Sequence, residues 1–141
     1  MEIDKNCFYC VKDERLTDLM IEVCRLEVSA LYLFKEQTYR GRCIVAYNGH
    51  ISEIYHLNET ERTLFMNDVA KAAGAINKAF QPDKINYGAY ADKMTHLHFH
   101  LVPKYINGPG WGGTFEMSPQ NKVLLSEEEY AQLIKIIKDY L

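Results

Sequence analysis

Met94-Thr95-His96-Leu97-His98-Phe99-His100-Leu101-Val102-Pro103 sets three of the chain's five histidines at alternate positions, with Leu97 and Phe99 between them. A period of two is the period of a β-strand, so the stretch predicts a strand carrying all three imidazoles on one face and apolar side chains on the other. Successive imidazoles on that face start ~6 to 7 Å apart, and polar rings so spaced make poor core filling. The strand offers one face to the core and the other to chemistry. Pro103 has no amide to give to a ladder, which confines the strand to a sheet edge or ends it there.

Upstream, Asp92-Lys93-Met94 turns into this strand, and Lys84 to Ala89 reads as another. Gln81-Pro82-Asp83 stops a helix over about residues 59 to 80, in which Leu64, Phe65, Val69, Ala72, Ala73, Ile76 and Phe80 recur at helical spacing. Asn58, with Glu61 three residues on, caps it. Further back, Ser29 to Lys35 and the continuous apolar run Arg42 to Tyr47 predict an antiparallel hairpin joined by the turn-like Glu36 to Gly41. Asn48-Gly49 ends the hairpin and delivers His50 at its mouth. His56 has no partner pattern, and Glu14 to Leu26 fits helix and strand equally. Downstream, Ile106 to Gly113 holds four glycines and the only tryptophan, Trp111, a composition that suits a loop either mobile or closely packed against something, while Trp111 speaks against a plain linker. Ser126-Glu127-Glu128-Glu129 then opens a capped helix with Ala131, Leu133, Ile134, Ile136, Ile137 and Tyr140 on its apolar side. Mostly strands, with one long helix between them and one helix at the end, this order predicts an α+β sheet.

A length of 141 residues suits one domain over 1–141, with the glycine-rich loop and helix at 105–141 as its C-terminal part. Apolar content of 48% and charge of 25% are those of a globular protein. A net charge of −3 excludes the broad basic surface of non-specific nucleic-acid binding, so any phosphate site is local. No run approaches the roughly 18 apolar residues of a membrane helix, and a cytoplasmic protein with reduced cysteines is expected. Cys24 and Cys43 lie in apolar stretches as small core residues. Cys7-Phe8-Tyr9-Cys10 instead has the two-residue spacing that lets two thiolates bind one metal ion.

Three chemistries suit the histidines. A neutral imidazole can attack phosphorus and form a phosphoramidate, dividing one hard displacement into two. The central His98 is then the natural nucleophile, and His100 donates to the phosphate or leaving oxygen. A catalytic metal triad on one extended strand is opposed by reach, because positions i and i+4 start ~13 Å apart. A closed set of Cys7, Cys10, His50 and His96 would bind structural zinc and leave His98 and His100 free.

His96-Leu97-His98-Phe99-His100-Leu101-Val102 resembles the signature of the histidine-triad, or HIT, nucleotide hydrolases and transferases. Gly41 to His50 is similar to the family's passage from a glycine through a buried strand to a histidine, and the helix after Leu57-Asn58 follows in the expected place. The likeness spans about residues 5 to 105. Trp111-Gly112-Gly113-Thr114-Phe115 resembles a prokaryotic-type branch described as diadenosine-tetraphosphate-hydrolase-like. The resemblance implies an antiparallel sheet of about five strands and a homodimer acting on a nucleotide. It implies that His98 attacks the α-phosphate, that His96 and His100 support it, and that water releases the monophosphate from the nucleotidyl-histidine. His100 in place of glutamine favours hydrolysis over uridylyl transfer. Members with the Cys-x-x-Cys pair use it with the equivalents of His50 and His96 to bind zinc. Two departures stand out: Tyr47-Asn48 replaces a Pro-Lys-type pair, and Asp92-Lys93 occupies the approach to the triad, where both join His100 as candidate nucleotide contacts. An aspartate there repels phosphate unless Lys93 or a metal offsets it, which motivates two alternatives to efficient hydrolysis. One is a nucleotide-binding or interaction module with weak catalysis, the other a zinc-dependent hydrolase.

Overall fold

Two reciprocal capping boxes fix the starts of the principal helices in the computed structural model, which describes residues 3–141. Asn58 accepts from the Glu61 amide while the Glu61 carboxylate accepts from the Asn58 amide, and Ser126 and Glu129 repeat the exchange. Each such cap satisfies amides that the first turn leaves without partners. The elements run α1 Phe8–Val11, α2 Glu14–Leu19, β1 Met20–Arg25, β2 Ser29–Phe34, β3 Cys43–Tyr47, α3 Glu59–Phe80, β4 Lys84–Gly88, β5 His98–Lys104 and α4 Glu127–Asp139. The strands form one antiparallel sheet in the order β1-β2-β3-β5-β4. The fold is α+β, as the order of periods predicts.

The stretch that fits helix and strand equally is both. Asp13 caps α2, and the chain turns extended at Met20 to begin β1. The histidine stretch departs from expectation in two ways. β5 begins only at His98, because His96 lies in a tight bend where its amide donates to the Met94 carbonyl at 2.7 Å. β5 is also an interior strand despite Pro103. Its pairing with β3 ends at Cys43 opposite Leu101, so at Pro103 only β4 flanks it, through Ile85. The strand is locally an edge there, where proline is tolerated.

The alternation then sorts the side chains. Leu97 and Leu101, with Phe99 partly buried beside them, pack with Phe65, Val69 and Ile76 of α3 and with Leu133 and Ile137 of α4. Each large apolar side chain buried there contributes roughly 1.5–3 kcal/mol. The opposite face holds Tyr32, Ile44 and Ala46 under Cys7, Tyr9 and Leu16 of the N-terminal segment. Tyr39, Val102 and Phe115 make a smaller cluster. His98 and His100 pair with Ala46 and Ile44 and so share this second face. Gly41, at φ +92°, makes the turn into β3, and its α-carbon is so close to the Phe80 ring that a β-carbon would collide with it.

Candidate functional site

Cys7 and Cys10 meet because α1 is a single helical turn, in which residues three apart lie on one face. The bend before β5 brings His96 against them, and the chain leaving β3 brings His50. One ligand atom from each of Cys7, Cys10, His50 and His96 lies within 4.8 Å of every other, a group that could hold a metal ion. The Cys7 Sγ to His96 Nδ1 distance is 3.4 Å, Cys10 Sγ to His50 Nδ1 is 3.4 Å, and Cys10 Sγ to His96 Nδ1 is 3.7 Å. The far nitrogen of each imidazole faces an acceptor. His96 Nε2 lies 2.7 Å from the Tyr47 carbonyl and donates to it, and His50 Nε2 lies 3.6 Å from Asp4 Oδ2. A proton held on Nε2 leaves the Nδ1 lone pair turned toward the thiols, as a metal ligand requires. Burial takes His96 down to about 4, so the ring is neutral near pH 7. Burial also pushes the Cys7 thiol up, and a bound cation is what would draw off its proton.

His98 and His100 use their nitrogens the other way round. His98 Nδ1 donates to the His96 carbonyl at 2.6 Å, and His100 Nδ1 lies 3.2 Å from Nη2 of Arg42. Neither Nε2 has a hydrogen-bond partner among the described residues, and both rings line a cleft of about 550 Å³ with Tyr90, Met94, Phe115 and Met117. That volume is within the range of small-molecule sites. Burial lowers His98 below its ordinary value. His100 falls to about 3, first through burial and then through the charge of Arg42. Both are therefore neutral near pH 7, and His98 presents an unprotonated Nε2 to the cleft. Tyr9 separates the two constellations, its ring centroid 5.0 Å from both His96 and His98.

Asp92 and Lys93 line the same cleft at its exposed rim. Trp111 is 43% exposed and is not among the residues lining that cleft. A second cleft of about 580 Å³ opens between α2, β1 and α4, lined by Leu16, Met20, Ile21 and Ile134 among others, and contains no histidine. The sequence reading passed over Arg42, Tyr9, Tyr90, Phe115 and Met117. Arg42 left one signal: it stands two residues from Ile44 and four from Ala46, on the histidine side of an otherwise apolar run.

Comparison with known proteins agrees with this geometry. The family model described as HIT domain matches residues 23–107, leaving Cys7 and Cys10 outside the matched segment. The chain is 28% identical to Protein hit of Bacillus subtilis (strain 168) over 121 residues, which cover 82% of this chain and 83% of that one. It is 24% identical to the Adenosine 5'-monophosphoramidase hnt1 of Schizosaccharomyces pombe over 132 residues, or 87% and 95% of the two chains. Its fold is similar to the crystal structure of a histidine triad protein from Sinorhizobium meliloti 1021, with a TM-score of 0.83 at 23% identity over 92% of this chain and 95% of that one.

Proposed function

The chain belongs to the HIT-domain family, and on that premise we propose that it hydrolyses a nucleotide phosphoanhydride or phosphoramidate, with His98 as the covalent nucleophile. The family supports nucleotide hydrolase or transferase activity in general, and the named phosphoramidase relative supports hydrolysis. The observation that carries the finer reading is the tautomer of His98. Its Nδ1 proton is committed to the His96 carbonyl, so the lone pair is on Nε2, at the wall of the cleft.

In the first step that lone pair forms the N–P bond while the bond from the α-phosphorus to the leaving group breaks and the leaving atom keeps the electron pair. The positive charge that develops on the imidazole is eased by the hydrogen bond to the His96 carbonyl. Water then attacks phosphorus and loses a proton, the N–P bond breaks, and the monophosphate leaves with His98 neutral again. His96 serves by its carbonyl, and His100 by an Nε2–H directed at the phosphate. Asp92, Lys93 and His100 are the nucleotide contacts at the rim and wall of the cleft.

Zinc fits the Cys7, Cys10, His50 and His96 group. Tetrahedral bonds of ~2.3 Å to sulfur and ~2.0 Å to nitrogen give S···N edges of about 3.5 Å, against 3.4, 3.4 and 3.7 Å here. Four protein ligands leave no open position, so the ion would cross-link the N-terminal segment to the histidine bend. That argues against a zinc-dependent hydrolase. Asp92 at the rim favours a second reading, a nucleotide-binding module with slow turnover. Following the family, the protein assembles as a homodimer, which light scattering would measure.

Rapid quenching of the protein with a dinucleoside polyphosphate or adenosine 5'-phosphoramidate, followed by mass spectrometry, tests the chemistry. A nucleotidyl adduct on His98 that forms and decays at the rate of turnover is expected. Binding without adduct or product would sink the hydrolase in favour of the binding module.

A further inference from the structure

Arg42 is a buried cation that the chemistry above leaves unused. It is 0% exposed and has no ion-pair partner among the described residues. The buried Glu36 carboxylate is already engaged by Thr38 and by the Val123 amide. The guanidinium is held between aromatic rings, 4.3 Å from the Phe34 centroid and 5.3 Å from that of Phe115. Nη1 donates to the Met117 carbonyl at 3.1 Å, Nη2 faces Met117 Sδ and His100 Nδ1, each at 3.2 Å, and Nε has no partner. A buried guanidinium with no ion pair and an unsatisfied donor is costly, and an apolar side chain of similar size would avoid that cost. Arg42 does not itself line the cleft; it reaches the cleft wall through His100, Phe115 and Met117, and of these only His100 carries a proton toward the bound group.

We propose that Arg42 is a positioning residue: it holds His100 as a hydrogen-bond donor with no proton to release, and so selects leaving groups that depart as anions, phosphoanhydrides over phosphoramidates. The proposal rests on the hydrolase reading above and narrows its substrate class. Guanidinium has five N–H donors and no acceptor, so the only bond it can make to an imidazole nitrogen is to a lone pair. His100 Nδ1 therefore carries the lone pair, and the ring's single proton is on Nε2, facing the cleft. To act as an acid the ring would first need a proton on Nδ1, which would set N–H against N–H and one cation against another.

The leaving group feels the difference. When His98 Nε2 forms its bond to phosphorus, the electron pair of the breaking bond goes to the leaving atom. A phosphate oxygen keeps that pair as a stable anion, and His100 Nε2–H stabilises it by hydrogen bonding. An amine nitrogen needs a proton with the pair, and a neutral His100 has none to give. Because a positioned acid is worth about 10²- to 10⁴-fold, the site should favour the anhydride by about 100-fold or more in kcat/KM.

Two substitutions test whether a cation that can only donate is what holds His100. Arg42→Lys keeps a side chain that only donates, whereas Arg42→Gln offers a carbonyl that can accept from Nδ1–H. Long-range ¹⁵N NMR of His100 at pH 7 should find the Nε2–H tautomer in the wild type and in Arg42→Lys, and a shift toward Nδ1–H in Arg42→Gln. The kcat/KM ratio of a dinucleoside polyphosphate to adenosine 5'-phosphoramidate should fall by about tenfold or more in Arg42→Gln and recover in Arg42→Lys. A wild-type His100 protonated on Nδ1 overturns the proposal, and needs no variant to fold. So does a wild-type preference for the phosphoramidate, or a ratio that Arg42→Gln leaves unmoved. If neither substrate turns over, the hydrolase reading falls and takes the leaving-group preference with it, while the tautomer still decides whether Arg42 holds His100.

Discussion

His96 and His98 are two residues apart, yet they belong to regions built on opposite principles. In the Cys7, Cys10, His50 and His96 group each imidazole faces a protein acceptor with Nε2 and turns Nδ1 inward to the thiols. In the cleft, His98 and His100 tie down Nδ1, to a carbonyl and to a guanidinium, and leave Nε2 free. The first region is closed by its own side chains, and the second opens onto about 550 Å³ of space. One kind of side chain is thus turned toward the thiols or toward open space according to which nitrogen its neighbours occupy, the difference between the proposed ligands and the proposed nucleophile. The two regions share a single residue, since the His96 ring belongs to the first while its carbonyl orients His98 in the second.

Replacing the proposed nucleophile breaks the comparison most severely. His98→Ala should lower kcat by roughly 10⁴- to 10⁶-fold, the scale seen when a covalent nucleophile is removed, with the melting temperature little changed. Retention of wild-type hydrolysis would remove His98 from the chemistry altogether. Stripping metal from the metal-loaded protein should have the opposite profile, lowering stability by on the order of several kcal/mol in thermal or denaturant unfolding. If chelation stopped the chemical step without moving the unfolding midpoint, the closed region would be the catalytic one.

Protonation sharpens the contrast on the open side. His100 is near 3 when folded, against an ordinary value of 6.5. Above pH 6.5 both states are neutral and the group contributes nothing to the pH dependence. As pH falls from 6.5 toward 3 the unfolded chain takes up a proton that the folded one refuses, so stability is lost by up to about 1.4 kcal/mol per pH unit. His100→Gln, which still offers Arg42 an acceptor, should flatten the stability profile between pH 6 and 4 by about that slope. An unchanged slope in denaturant titrations would mean that His100 is not held neutral. Smallest of all, Asp4→Asn should weaken metal affinity by about tenfold, because its carboxylate stands behind a ligand rather than among the ligands. A competition titration with a chromophoric chelator measures this, and no change would detach Asp4 from the closed region.

Legibility in the sequence followed the range of the interactions. Period and capping are local, so the helix Glu59–Phe80, the helix Glu127–Asp139, the β2–β3 hairpin and the two faces of β5 could all be read from residue order. The Glu14 to Leu26 stretch could not, because its two halves carry different periods that merge in one window. Nor could the start of β5, since His96 continues the alternation in sequence while a bend takes it out of the strand. Tyr47-Asn48 differs from the family's usual pair at little apparent cost to His96, because the Tyr47 atom that His96 uses is a main-chain carbonyl, present whatever the side chain.

By itself, then, the sequence determined that one strand presents histidines opposite a core face, that two cysteines come within reach of one ion, and that a long capped helix covers the sheet. Only the tertiary structure decided which imidazole nitrogen each neighbour occupies, and that a buried guanidinium from 58 residues away stands behind His100. The physical reason is directional. Burial and periodicity depend on residue type and spacing along the chain, whereas a tautomer is set by a single donor or acceptor within about 3 Å, supplied by whatever segment the fold brings there.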